Sequence, residues 1–84
     1  MNPKSQSFFP LAEFDRPCRA LQDTVWVGEP ANPLHPDRGY IRRGETIWLH
    51  PELMTNTSDW QLARLKNNRV RYIRHNDFEL LAQP

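Results

Sequence analysis

Proline stands at positions 3, 10, 17, 30, 33, 36, 51 and 84, eight residues against only three glycines. Each proline fixes φ and removes a backbone donor, which ends helices and interrupts central strands. The residue before it is also pushed toward extended conformations. A chain punctuated this way is built from short extended pieces and turns. No apolar run approaches the roughly 18 residues of a membrane-crossing helix, so no membrane span is expected.

Between the prolines the runs have strand character. Residues 24–28, Thr-Val-Trp-Val-Gly, are β-branched and aromatic and form the first clear strand. Residues 29–39 hold three prolines and read as a polyproline-like or turn-rich loop. Within it Pro36-Asp37-Arg38-Gly39 is a β-turn signature. Residues 40–44 read as a short strand ending in a turn. Residues 45–50 are the second clear strand, stopped by Pro51, and 51–56 connect onward. His75-Asn76-Asp77 reads as a turn, and 78–81 as a last short strand or docking tail. Trp26, Trp48, Trp60 and Tyr72 are the side chains expected to supply much of the core.

The densest pattern lies in residues 57–74, with five of the eleven basic residues. Ser58 followed by Gln61 has capping-box spacing, and Asp59 falls in the first turn, where the helix dipole favours negative charge. Trp60, Leu62, Ala63 and Leu65 make an apolar stripe at roughly helical spacing. Lys66 suits a helix C-terminus, and Asn67 and Asn68 can take left-handed conformations that stop it. This favours a short helix of barely two turns, held only by packing. The rival is a hairpin, with 60–65 as a strand and Lys66-Asn67-Asn68 as its turn. After it, Val70 and Tyr72 alternate with Arg69, Arg71 and Ile73, a half-buried strand pattern.

The expected fold is mostly β: a small barrel-like or open antiparallel sheet with one short helix and an extended N-terminal arm. Residues 1–22 are assigned to the arm and 23–84 to the β-rich domain. Phe8, Phe9 and Phe14 sit between prolines in the arm and either dock into a neighbour or fold back on the chain's own core. With 84 residues, a single domain is expected, one that buries only about 60% of its unfolded surface. One cysteine excludes an internal disulfide, and 38% apolar residues is low for a self-sufficient core. An assembly partner is the remaining source of stability. Residues 1–7 are polar with no apolar stretch behind them, so no signal peptide is expected.

Chemistry-bearing patterns are sparse. His35, His50 and His75 are scattered in turns or strand ends, expected at the surface or rim, and lack metal-ligand spacing. Cys18 lies between Arg16 and Arg19, which could activate its thiol, but no base is near in sequence. Neither a nucleophile elbow nor a phosphate-binding glycine loop is present, and the carboxylates are dispersed. No enzyme activity, no cofactor and no metal are expected.

The net charge of +1 gives no global bias toward nucleic acid or membrane. Locally, Arg64, Lys66, Arg69, Arg71 and Arg74 run without an acidic residue between them. Interleaved with Trp60 and Tyr72, they could follow a phosphate backbone. They could equally be a solvated face paired with Glu45, Asp59 or Glu79, or meet an acidic neighbour in an assembly.

The run Trp60-Gln61-Leu62-Ala63-Arg64-Leu65, followed by Asn67-Asn68-Arg69-Val70, resembles the ending of short tail-region proteins of Mu-like contractile-tailed phages. Pro33-Leu34-His35-Pro36-Asp37-Arg38-Gly39 is similar to their Leu-Pro-x-x-Gly segment. Here Asn67-Asn68 replaces an Asp-Gly-like turn, and Ala63 replaces one of two arginines. The resemblance implies a virion tail, neck or baseplate component, assembled in the host cytoplasm and without catalytic residues. The expected interface is then Phe8, Phe9, Phe14, Arg64, Arg69 and Arg71, meeting other copies of the chain or other virion proteins. The alternative is a small nucleic-acid-binding or regulatory protein using the basic strand 64–74.

Overall fold

The structure, a computed structural model, describes residues 10–32, 34–53 and 59–81. Seven strands form one sheet: β1 Arg16–Ala20, β2 Thr24–Val27, β3 Arg38–Ile41, β4 Thr46–Leu49, β5 Trp60–Arg64, β6 Val70–Arg74 and β7 Phe78–Leu80. Their order is β3-β2-β6-β5-β4-β1-β7, and every neighbouring pair is antiparallel. The chain is mostly β, an open antiparallel sheet as its short β-branched runs require.

Side chains alternate between faces along a strand, and residues opposite each other share a face. One face, called inner here, carries the core. Trp26 lies opposite Ile73, which lies opposite Gln61; Leu49 is opposite Ala63; Cys18 is opposite both Ile47 and Leu80. Cys18, Ala20, Ile41, Ile47, Leu49, Ala63, Leu65 and Ile73 form the buried cluster, with Trp26 and Phe78 packed against it. The core is therefore made of small aliphatic side chains. Of the four aromatics expected there, Trp26 alone borders it; Trp48, Trp60 and Tyr72 are half-buried on the outer face. A sheet this short must curl to cover its own inner face, and the curl leaves room for alanine and isoleucine rather than indoles.

The curl brings the start of β2 to the start of β7. Asp77, in the 3-10 turn His75–Asp77, accepts hydrogen bonds from Thr24 Oγ1 at 2.6 Å and Gln22 Nε2 at 3.0 Å. Its carbonyl accepts from the Leu21 amide at 2.8 Å. The backbone bond from Leu21 continues the β1–β7 pairing, and the Asp77 carboxylate ties the start of β2 to the start of β7 outside the ladder.

Several expectations need correction. The helix predicted from Ser58 onward is instead strand β5; the described part of that stretch alternates Gln61, Ala63 and Leu65 inward against Trp60, Leu62 and Arg64 outward. Ser58 itself lies outside the described residues. Gln61, read as a capping partner, is buried on the inner face and donates to the Leu53 carbonyl at 2.6 Å. The rival hairpin is the arrangement observed, and Asn68 supplies its left-handed residue at φ 66°.

Part of the stretch assigned to the arm belongs to the sheet. Residues 16–20 are β1, a central strand between β4 and β7. Pro17 is tolerated there because its carbonyl reaches Leu81 N at 2.9 Å, just past the end of β7, where the ladder is already finishing. Phe14 is 1% exposed, so it is a core side chain rather than one offered to a neighbour. Its ring meets His50 edge-on at 5.4 Å, and Glu13 Oε1 lies 2.9 Å from His50 Nε2. His50, expected at the rim, is accordingly buried. Phe8 and Phe9 lie outside the described residues.

Candidate functional site: the arginine-aromatic face

The outer face is where polar chemistry concentrates. Its strand positions are Pro17 and Arg19 on β1, Val25 and Val27 on β2, Arg38 and Tyr40 on β3, and Thr46 and Trp48 on β4. They continue with Trp60, Leu62 and Arg64 on β5, Val70, Tyr72 and Arg74 on β6, and Glu79 on β7. Four arginines therefore face a single carboxylate. Glu79 is already taken, with Arg19 Nε at 3.1 Å from its Oε2.

Two of the arginines are laid on indoles. The Arg64 guanidinium lies 4.4 Å from the Trp48 ring centroid, and that of Arg74 lies 4.8 Å from Trp60. Both stacks follow from register, since Trp48 is opposite Arg64 and Trp60 is opposite Arg74. Arg64 is held further by Asn68 Oδ1 at 3.2 Å and the Phe14 carbonyl at 3.1 Å. Its Nε is buried without a hydrogen-bond acceptor. Arg74 is exposed, and among the described residues no carboxylate lies within salt-bridge distance of Arg64 or Arg74.

Beside the second stack is a cavity of about 490 Å³. Val25 and Val27 form its apolar lining, Trp60 and Arg74 stand on one side, and Arg38 and Tyr40 on the other. Tyr40 is 86% exposed although it is a strand residue, because β3 is the edge of the sheet. Gly39 holds that edge in place. It lies opposite Trp26 on the inner face, and a Cβ there would come within 2.6 Å of the indole ring. The backbone of β3 can therefore rest directly against Trp26.

The expected basic interface divides. Arg69 and Arg71 belong to the inner-facing set with Ile73, as the alternation predicted, and Arg64 to the outer set with Arg74. Arg71 Nε lies 2.9 Å from Asp37 Oδ2, out of line for a hydrogen bond, and Arg69 Nη2 lies 3.8 Å from Asp37 Oδ1. Both guanidinium groups flank the Trp26 ring, at 5.9 and 5.8 Å. They serve as a clamp on the 29–39 loop. The acidic partner is Asp37 rather than Glu45, Asp59 or Glu79, because the loop folds back over β2, with Gly28 N donating to the Asp37 carbonyl at 2.7 Å. Arg38 and Tyr40 were not singled out from the sequence as site residues, and Arg74 entered only through the basic run 64–74, not through the expected interface. The phase of Arg74 with Tyr72 was the signal that could have separated it from Arg71.

Cys18 is 2% exposed, and burial pushes its thiol up to about 11, so the flanking arginines do not activate it. Among the described residues, no three or more His, Cys, Asp or Glu side chains converge in a metal-binding group. Comparison with protein-family models, with curated proteins and with solved structures gave no match.

Proposed function

We propose that the protein is a non-catalytic binding and assembly element that holds an anionic partner against the outer face of its sheet. The observation that carries this reading is the charge of that face: four arginines against one carboxylate, in a chain whose net charge is only +1. Arginine and aromatic residues are the types enriched at recognition surfaces. Two of these arginines are already ordered on tryptophans, so less side-chain entropy is lost when a partner arrives. Two copies meeting through this same face would oppose like charges. The partner is therefore a surface of opposite sign: an acidic patch on another protein, an acidic patch elsewhere on another copy, or nucleic acid. The resemblance to Mu-like tail-region proteins supports placing it in a virion tail, neck or baseplate, assembled in the host cytoplasm.

Nucleic acid is the second reading, favoured by the alternation of planar side chains with cations on one surface. The basic strand then acts through Arg64 and Arg74 rather than through Arg69 and Arg71.

Light scattering of the full chain over a concentration series, with and without polyglutamate or short DNA, tests the charge reading. Mass should rise with a polyanion and fall back as salt is raised. Replacing both Arg64 and Arg74 with glutamate should abolish the gain. Equal mass with and without either polyanion at low salt would refute an anion-binding face.

A further inference from the structure

From the cavity beside Trp60 we infer that the outer face takes single-stranded nucleic acid, one nucleotide of which sits between Tyr40 and the Arg74-Trp60 stack. This deepens the anion-binding reading and rests on it. The cavity, about 490 Å³, is of the size that holds a small-molecule-sized group. Its two valines offer an apolar floor, and both ends present a planar side chain together with a cation: Tyr40 with Arg38, and Trp60 with Arg74. A nucleotide is the anionic unit that matches both features, because its base has a π-face and its phosphate a charge. An aspartate or glutamate side chain would satisfy the arginines but leave the aromatic ring of Tyr40 in water.

The geometry selects for a single strand. Tyr40 is 86% exposed on an edge strand, and a base can stack on it only if it has left its own stack. The Arg74 guanidinium lies over the Trp60 ring at 4.8 Å, and its planar group is exposed, offering a second surface on which a base can lie. Arg64 on Trp48 continues the basic track along the same face, at 4.4 Å from that ring. A strand crossing from β3 toward β4 therefore meets cations and planar groups in alternation, the pattern of sequence-tolerant single-strand binding.

The test is fluorescence anisotropy of a fluorescein-labelled oligothymidylate of about twelve nucleotides, titrated with the full chain across a salt series. The same oligonucleotide annealed to its complement and a labelled polyglutamate of equal charge are run beside it. The single strand should bind tighter than both. Tyr40→Ala should weaken single-strand binding at least about fivefold, the low end of what one stacked base contributes, and Tyr40→Phe should restore it. Because Tyr40 is exposed, the alanine variant should keep the wild-type circular dichroism spectrum. Arg74→Ala should lower the salt slope by about 0.7, one phosphate contact on a single strand.

The inference is overturned if the duplex or polyglutamate binds as tightly as the single strand. It is equally overturned if Tyr40→Ala, folded, binds as the parent does. In the polyglutamate case the anion-binding reading survives; if no polyanion binds at low salt, both fail.

Discussion

Cys18 shows how placement on one face outweighs neighbours in sequence. Arg16 and Arg19 flank it, and two cations are what a reactive thiol requires. In the strand, however, Arg19 turns to the outer face toward Glu79, and Arg16 pairs with Asp15 at 3.7 Å. The thiol is left among Ala20, Ile47 and Leu49 in a buried cluster. Its ordinary value near 9.0 rises to about 11 because burial disfavours the thiolate. The sign of the pH effect follows. Between those values the unfolded chain has lost the proton and the folded chain has kept it, so stability falls as pH rises. The contribution is complete below about pH 9 and is lost by about pH 11, a loss of about 2–3 kcal/mol at 1.36 kcal/mol per unit. Urea unfolding at pH 8, 9, 10 and 11 should show this decline, and Cys18→Ala, though less stable throughout, should show a shallower one. Parallel declines in the two proteins would assign the pH effect to tyrosine and lysine instead. The same burial predicts that a thiol reagent reacts slowly with the folded chain.

The hairpin of β5 and β6 is the element in which sequence reasoning met a real ambiguity. Trp60, Leu62, Ala63 and Leu65 satisfy a helical stripe and also lie on a strand with two usable faces. Periodicity alone does not separate the two when a strand is half-buried on both sides. What decides is tertiary: Ala63 and Gln61 find partners in Arg71 and Ile73 across β6, and Leu49 across β4. The turn was readable, because paired asparagines can supply a left-handed residue. Asn68 N bonds to the Leu65 carbonyl at 2.9 Å, Leu65 N to the Arg69 carbonyl at 2.8 Å, and Asn68 alone is left-handed, with φ 66°. This is a three-residue connection of the bulged type. Strands β2, β4 and β7 were also readable from their β-branched and aromatic runs. Strand β1 was hidden, since Pro17 and two arginines disguise a central strand whose donorless position falls where the ladder ends. Asn68→Val should destabilise the protein by about 1–2 kcal/mol, the cost of holding a side chain with Cβ branching in the left-handed region. Asn68→Gly should stay within about 1 kcal/mol of the parent, as relief of that strain offsets the lost bond to Arg64. The urea midpoints of the two variants check this; a valine variant as stable as the parent would contradict the turn geometry.

On the scale of the whole molecule, the sheet must close enough to shield a core of small side chains without a second layer. Ile41 on β3 joins the same buried cluster as Cys18 and Ala20 on β1, although four strands separate them in the ladder. The curl that achieves this places the bulky aromatics outside, and so creates the arginine-aromatic face. Neither consequence could be read from the sequence. Which of two alternating faces becomes the core depends on which way the sheet curls, and both faces of β5 are apolar. Part of that curl rests on Asp77, where a single carboxylate beside β7 holds Thr24 at the start of β2 and Gln22 from the β1–β2 connection. Thr24 is 8% exposed, so removing its acceptor leaves a nearly buried hydroxyl without a partner. Hydrogen bonds to a charged group contribute about 1.5–3 kcal/mol each, and the bond to exposed Gln22 adds less. Asp77→Ala should therefore cost about 2–3 kcal/mol, and Asp77→Asn, which keeps an acceptor for Thr24, roughly half of that. Urea unfolding should show a lower midpoint with an unchanged slope if the change is one of stability alone. A loss below about 0.5 kcal/mol would mean that the aliphatic cluster curls the sheet unaided. Hydrogen exchange separates the two further: with Asp77 gone, the amides of β2 and β7 should open before those of β4 and β5, because β2 and β7 lose the tie between them while β4 and β5 keep their ladder.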